Sequence, residues 1–218
     1  MAFNVAIDGP AGAGKSTIAK AVAAKKGYVY VDTGAMYRAM ALYFLRENIS
    51  KDDEAKISAS VDNIKVSIKY EDGAQHVILN DEDVTGLIRT EEVGNMASAT
   101  SVYSAVRTKL VALQQELAKT TDVIMDGRDI GTVVLPNADV KVFLTASVAC
   151  RAKRRFDELT AKGVEADYDQ IAKDIAERDY RDSHREISPL KQADDAILVD
   201  SSEMTIDEVV NTIIDLCK

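Results

Sequence analysis

Eight residues near the start of the chain limit what it can fold into more than any other feature. Gly9-Pro10-Ala11-Gly12-Ala13-Gly14-Lys15-Ser16 fits the spacing G-x-x-x-x-G-K-[ST]. It lies between an apolar run, Phe3 to Ile7, and an Ala-rich stretch, Lys15 to Lys26, that reads as a helix. Glycines let successive backbone N–H groups turn inward around phosphate oxygens, and a helix N-terminus adds partial positive charge. The lysine reaches the outer phosphates, and the hydroxyl of Ser16 can ligate Mg²⁺. The pattern predicts a nucleoside triphosphate held at the first strand-helix junction of an α/β chain. The reaction stays open, because GTPases, ATPase motors and small-molecule kinases all use such a loop.

The strand-loop-helix cycle repeats with Tyr28-Val29-Tyr30-Val31, a turn at Asp32-Thr33-Gly34 and a helix from about 35 to 47. Two such units in succession imply a parallel sheet. Between about 62 and 90 the period changes. Ile64, Val66, Ile68 and Tyr70 alternate with Lys65, Ser67 and Lys69, then Glu71-Asp72-Gly73 turns into His76 to Leu79. Strict alternation marks an antiparallel hairpin with one wet face, which reads as an insert of about 62–100. Helices near 91–100 and 103–119 follow it. Val123 to Met125, Val140 to Leu144 and Ala196 to Val199 supply three more short apolar strands, with helices near 147–162, 167–181 and 205–217. The expected fold is one α/β domain over 1–218: a five-stranded parallel sheet flanked by helices, with the antiparallel insert and a helical lid at about 151–166.

Composition narrows the partners. At 218 residues and 46% hydrophobic, the chain is long enough for a sizeable core. Its net charge of −9 argues against nucleic acid. The start, Met1 to Val5, lacks a basic leader, and no apolar run approaches the roughly 18 residues of a membrane span. These features predict a cytoplasmic monomer. Cys150 and Cys217 have no metal-binding spacing and are expected to be buried, reduced thiols.

Other motifs test the reaction class. Asp83-Val84-Thr85-Gly86 imitates the D-x-x-G of GTPases, but it sits in the insert and no N-K-x-D follows, so it reads as a turn. Asp126 ends the third core strand as a motor carboxylate would, yet Gly127-Arg128-Asp129 comes next, and an arginine there faces an anionic acceptor. His76 in the hairpin and His184 in an expected polar loop have no obvious catalytic place. Arg151, Lys153, Arg154 and Arg155 crowd positive charge on one helix, where Arg154 and Glu158 offer an i,i+4 pair. Arg107 is expected on a helix whose Leu110, Leu113 and Leu117 face the core.

Taken together, Ile7 to Ser16, Asp32-Thr33-Gly34-Ala35-Met36-Tyr37-Arg38, Ile88-Arg89-Thr90 with Ser98 and Arg107, Asp126 to Thr132 and Glu177-Arg178-Asp179-Tyr180-Arg181-Asp182 resemble the bacterial cytidylate kinases, a family of nucleoside monophosphate kinases. The likeness spans essentially the whole chain, and Thr33 keeps the hydroxyl of a Ser also seen there. The resemblance implies ATP + CMP → ADP + CDP with Mg²⁺, dCMP as a further acceptor, a CMP-binding insert and a mobile lid. It assigns Gly9, Pro10, Ala11, Gly12, Ala13, Gly14, Lys15, Ser16, Thr17, Arg151 and Arg155 to ATP, with Ser16 also to Mg²⁺. Arg38, Arg128 and Arg185 fall to the acceptor phosphate, and Ser98, Arg107 and Asp129 to cytosine. Arg178 and Asp182 fall to the ribose, and Thr33 and Tyr37 complete the acceptor set. Lys15, Arg128 and Arg185 are the catalytic expectations. The rivals are a kinase for UMP, AMP or a hydroxyl compound such as shikimate, and a slow nucleotide-dependent switch.

Overall fold

A computed structural model describes residues 2–71 and 74–218. The elements are β1 (Asn4–Asp8), α1 (Lys15–Lys26), β2 (Val29–Asp32), α2 (Thr33–Arg46), α3 (Glu54–Ser60), β3 (Val66–Glu71), β4 (Ala74–Leu79) and β5 (Glu82–Asp83). There follow α4 (Glu91–Thr100), α5 (Ser104–Thr120), β6 (Val123–Gly127), β7 (Val140–Thr145), α6 (Val148–Ala161), α7 (Tyr168–His184), β8 (Ile197–Asp200) and α8 (Ile206–Leu216). Five strands form one parallel sheet in the order β2-β6-β1-β7-β8, and β3-β4-β5 form a separate antiparallel one.

Two compact units divide the chain. The first holds 2–30 and 121–218, the second Val31–Thr120. In the first, Val5, Ile7, Ile124, Val142 and Leu144 of the strands pack with Ile18 and Val22 of α1 and with Val209, Val210 and Ile213 of α8. These strands are buried on both faces, so their sequences run apolar without alternation. In the second, Met36, Met40 and Phe44 of α2 meet Val66, Val77 and Leu79 of the small sheet, Val93 and Met96 of α4 and Leu110 of α5. The insert expected at about 62–100 lies inside this unit.

Register decides what the first unit presents. Asp8 pairs with Gly127 across β1 and β6, so the loop starting at Gly9 and the loop starting at Arg128 leave neighbouring strands at one level. Thr145 pairs with Asp200, which brings the starts of α6 and of the segment after β8 together. All of these are C-terminal strand ends, where open α/β sheets bind ligands.

Several expectations need correcting. Asp32-Thr33-Gly34 is not a free turn: the Asp32 carboxylate accepts from the N–H of Ala35, so α2 begins at Thr33. The polar helix α3 and the 3₁₀ turn Val61–Asn63 were not expected. Glu82–Asp83 adds a third strand to the hairpin, whose expected turn at Asp72-Gly73 lies outside the described residues. Helix α7 runs three residues past 181, which puts His184 in its last turn rather than in a loop. Cys150 is half-buried and Cys217 buried, both as free thiols. No helix among the described residues is long and apolar enough to cross a membrane.

Candidate active site

The first unit carries the phosphate loop. Gly9 has φ +149°, and a Cβ there would stand 1.9 Å from the carbonyl oxygen of Leu144, so only glycine fits against β7. Gly14 takes φ +88° as the N-cap of α1 and offers no side-chain cap. The first N–H groups of α1 are thus left for an anion, and no acidic residue occupies its first turn. Lys15 is buried and its Nζ donates to the carbonyl of Pro10 at 2.8 Å. Burial lowers its ammonium to about 7; Arg128 pushes the same way, while Asp126 and Asp8 pull it back up. The hydroxyl of Ser16 donates to Asp126 at 2.9 Å, whose other oxygen accepts from the hydroxyl of Tyr30 at 2.8 Å. Thr17 is exposed on the first turn of α1.

The neighbouring loop carries the arginine-acid pair. Ile130–Val134 form a π-helical turn whose first two N–H groups donate to Asp8 at 2.8 and 2.7 Å. Asp8 thereby fixes the loop holding Arg128 and Asp129. Burial raises its carboxyl to about 6, against the two N–H donors that lower it. Asp129 is buried. Arg128 donates through Nε to Asp182 on α7 at 2.9 Å. Burial pushes Asp182 upward, but Arg128, Arg178 and Arg185 together hold it below the usual carboxylate range. Arg178 and Asp182 therefore do share a face of α7, and Arg185, the C-cap of that helix, donates to the carbonyl of Ser188 at 2.6 Å.

The arginines of α6 diverge. Arg151 is buried and pairs with Asp179 through both terminal nitrogens. Arg154 does not pair with Glu158; it donates to the carbonyl of Ser201 at 2.8 Å. Arg155 takes Glu158 instead, at 2.8 Å and well exposed.

In the second unit, Arg107 is no solvated charge: it is 5% exposed, and its guanidinium lies 5.7 Å from the ring centroid of Tyr37. Its helix turns Leu110, Gln114 and Ala118 fully inward, whereas Leu113 and Leu117 are half-buried. A Cβ on Gly94 would come within 2.9 Å of Nη1 of Arg38, so this glycine makes room for that guanidinium. Ser98, four residues on, shares the Gly94 face of α4. Thr33 is buried at the start of α2, and its neighbour Asp32 pairs with Arg89 at 2.6 Å. Asp83 accepts from the N–H of Thr85 and faces His76 at 2.7 Å, a turn with no core strand behind it.

Sequence reasoning set Asp126 aside with the motor reading and passed over Asp8, Asp179 and Gly94. Position alone could have flagged Asp126, since an acid ending a core strand beside a phosphate loop has few structural uses. The same reasoning flags Asp8, which ends β1 directly before the loop, while nothing local marks Asp179 or Gly94. No cluster of three or more His, Cys, Asp or Glu among the described residues could hold a metal by itself. The Ser16 hydroxyl and Asp126 carboxylate are oxygen donors of the kind Mg²⁺ takes, alongside phosphate oxygens.

The model of the cytidylate kinase family matches residues 5–218. A cytidylate kinase of Lactobacillus johnsonii is 54% identical over 214 residues, covering 98% of this chain and 93% of its own. One from Bacillus pumilus is 51% identical over 213 residues, covering 98% and 95%. A solved structure of an uncharacterized protein from Eubacterium ventriosum aligns with a TM-score of 0.54 at 11% identity, over 98% of this chain and 96% of that one, a likeness of fold alone. With half its residues identical over nearly the full length of such relatives, the chain belongs to the cytidylate kinase family.

Proposed function

We propose that this protein transfers the terminal phosphoryl group of ATP to CMP, and to dCMP, giving ADP and the nucleoside diphosphate. What carries the reading is the register of Asp8 on Gly127, which sets the phosphate loop beside Arg128 and Asp129 in a chain of this family. Lys15 and the N-terminus of α1 serve the ATP phosphates. Arg38, Arg128 and Arg185 serve the acceptor phosphate, with Ser98, Arg107 and Asp129 on the base and Arg178 and Asp182 on the ribose. Thr33 and Tyr37 belong to the acceptor set. The stretch of about 62–100 acts as the CMP-binding insert and that of about 151–166 as the lid.

The acceptor needs no general base. A phosphate monoester has a second pKa of about 6, so its attacking oxygen is already anionic at pH 7. Two anions must still be brought together, which asks for cations and for exclusion of water rather than for an acid or base. Ser16, with Asp126 behind it, would hold Mg²⁺, which when bound neutralises charge on the ATP phosphates. Two free thiols fit a reducing, cytoplasmic setting.

Release of ADP, followed in a coupled assay with CMP, dCMP, UMP, AMP and shikimate in turn, tests this. CMP is expected to lead the panel. Slow release that ignores every acceptor points to a switch, and release with shikimate alone to a hydroxyl kinase.

A further inference from the structure

The one buried arginine of α6 is bound to the phosphate loop rather than left free for a ligand. Arg151 is 4% exposed. Its Nε donates to the carbonyl of Ala146 at 2.8 Å, at the end of β7, and Nη1 donates to the carbonyl of Ala11 at 2.9 Å, inside the loop. The remaining contacts go to Asp179 on α7, from Nη1 at 3.0 Å and from Nη2 at 2.6 Å. Four of the five N–H groups that a guanidinium owns are thereby committed. The aliphatic stem of Arg151 also walls the loop at Gly12, where a Cβ would lie 3.5 to 3.8 Å from three of its carbons.

A loop that turns its N–H groups inward to phosphate must turn carbonyls outward, and these need donors. Arg151 is such a donor. A buried guanidinium also needs a counterion, and Asp179 supplies it in a region already holding Lys15, Arg128 and Arg178. We infer that Asp179 is a positioning residue for ATP: it fixes Arg151, and Arg151 fixes the phosphate loop through Ala11 and Gly12. The inference rests on the proposed ATP-binding role of that loop. The opposite role, a carboxylate that withholds Arg151 from phosphates, leaves the bonds to Ala146 and Ala11 without a reason.

The two roles predict opposite signs. Binding of a non-hydrolysable ATP analogue with Mg²⁺ is measured by calorimetry on the full chain, together with separate KM values for ATP and CMP. Asp179→Ala is expected to weaken analogue binding at least ~10-fold, the loss of a buried charge-assisted pair, while the KM for CMP moves less than about 2-fold. Asp179→Glu is expected to recover part of the loss. Arg151→Ala should match Asp179→Ala, and the double variant should be no worse than the poorer single one. Asp179→Asn, which keeps one acceptor, replaces Asp179→Ala if that variant does not fold, with a smaller loss of the same sign. Tighter or unchanged analogue binding by the Asp179 variants overturns the inference, as do losses that multiply in the double variant. A wild type that binds the analogue but releases no ADP with CMP contradicts the acceptor reading alone, because the comparison of variants still stands.

Discussion

Binding of ATP should draw a proton onto Lys15. In the free protein this side chain is buried and faces the guanidiniums of Arg128 and Arg178, with Asp126 and Asp8 offsetting them in part, which brings it to about 7. At pH 8, one unit above that value, about nine chains in ten carry it neutral. A triphosphate laid against Nζ restores the charged form, so each ATP bound at pH 8 should take up most of a proton. A ligand that raises a pKa binds best where the group is already protonated. Analogue affinity should therefore weaken about fivefold, or about 1 kcal/mol, between pH 7 and pH 8, where Asp8 stays largely ionised. Calorimetry of a Mg²⁺-loaded ATP analogue at pH 8, in two buffers of different ionisation enthalpy, counts the proton. Asp8, at about 6, is already ionised there. Lys15→Met removes the titrating group and should abolish the uptake, besides lowering kcat by at least ~10³. Uptake below about 0.2 proton at pH 8, or uptake that survives Lys15→Met, refutes the reasoning.

Three further outcomes are expected. Arg128→Ala should cost roughly 2–4 kcal/mol in kcat/KM for CMP, with little change in ATP-analogue binding; equal weakening of both removes Arg128 from the acceptor phosphate. Uracil presents an oxygen where cytosine presents an amino group, so CMP should exceed UMP in kcat/KM by at least ~10²-fold, and Asp129→Ala should narrow that ratio by losing CMP activity. Steady-state kinetics with both nucleotides on both proteins decide this, and an unchanged ratio sends the specificity to Ser98 and Arg107. Gln114 is 1% exposed and neither end of its amide has a hydrogen-bond partner among the described residues, so Gln114→Leu should raise stability by about 1–2 kcal/mol in urea unfolding. A lowered midpoint means that the amide is bonded after all.

The sequence made some of this legible and hid the rest for physical reasons. Helix α1 was readable to its ends because glycine stands at both caps, Gly14 and Gly27, each at positive φ. The central strands β1, β6 and β7 stood out because both of their faces are buried. Helix α3 escaped because only Ile57 of its seven residues is buried, which leaves no stripe to read; the N-cap Asp53 was its one signal. Ile130 to Val134, rich in β-branched residues, forms a π-helical turn in which Asp8, 122 residues away, takes the N–H of Ile130. Long-range partners of this kind have no local signature. The same limit applies to α6, where linear crowding suggested one anionic target for its arginines. Arg151 and Arg155, four residues apart, lie on one face, but Arg151 is a turn nearer the phosphate loop and is buried on it, Arg155 is exposed on Glu158, and Arg154 turns to Ser201.

On the proposed reading, a guanidinium kept for a phosphate that comes and goes needs a counterion while the phosphate is away. Asp182 is that counterion for Arg128, and the fields of Arg178 and Arg185 fall on it too. Three guanidiniums hold this one carboxylate below its usual range, so the field around Asp182 is positive on balance, the sign a phosphate monoester calls for. On that reading, the acceptor phosphate enters this positive field and need not displace Asp182, which meets the ribose. A chain of net charge −9 can hold an anion there because the local field acts at contact distance, while charges beyond a Debye length of about 8–10 Å are largely screened.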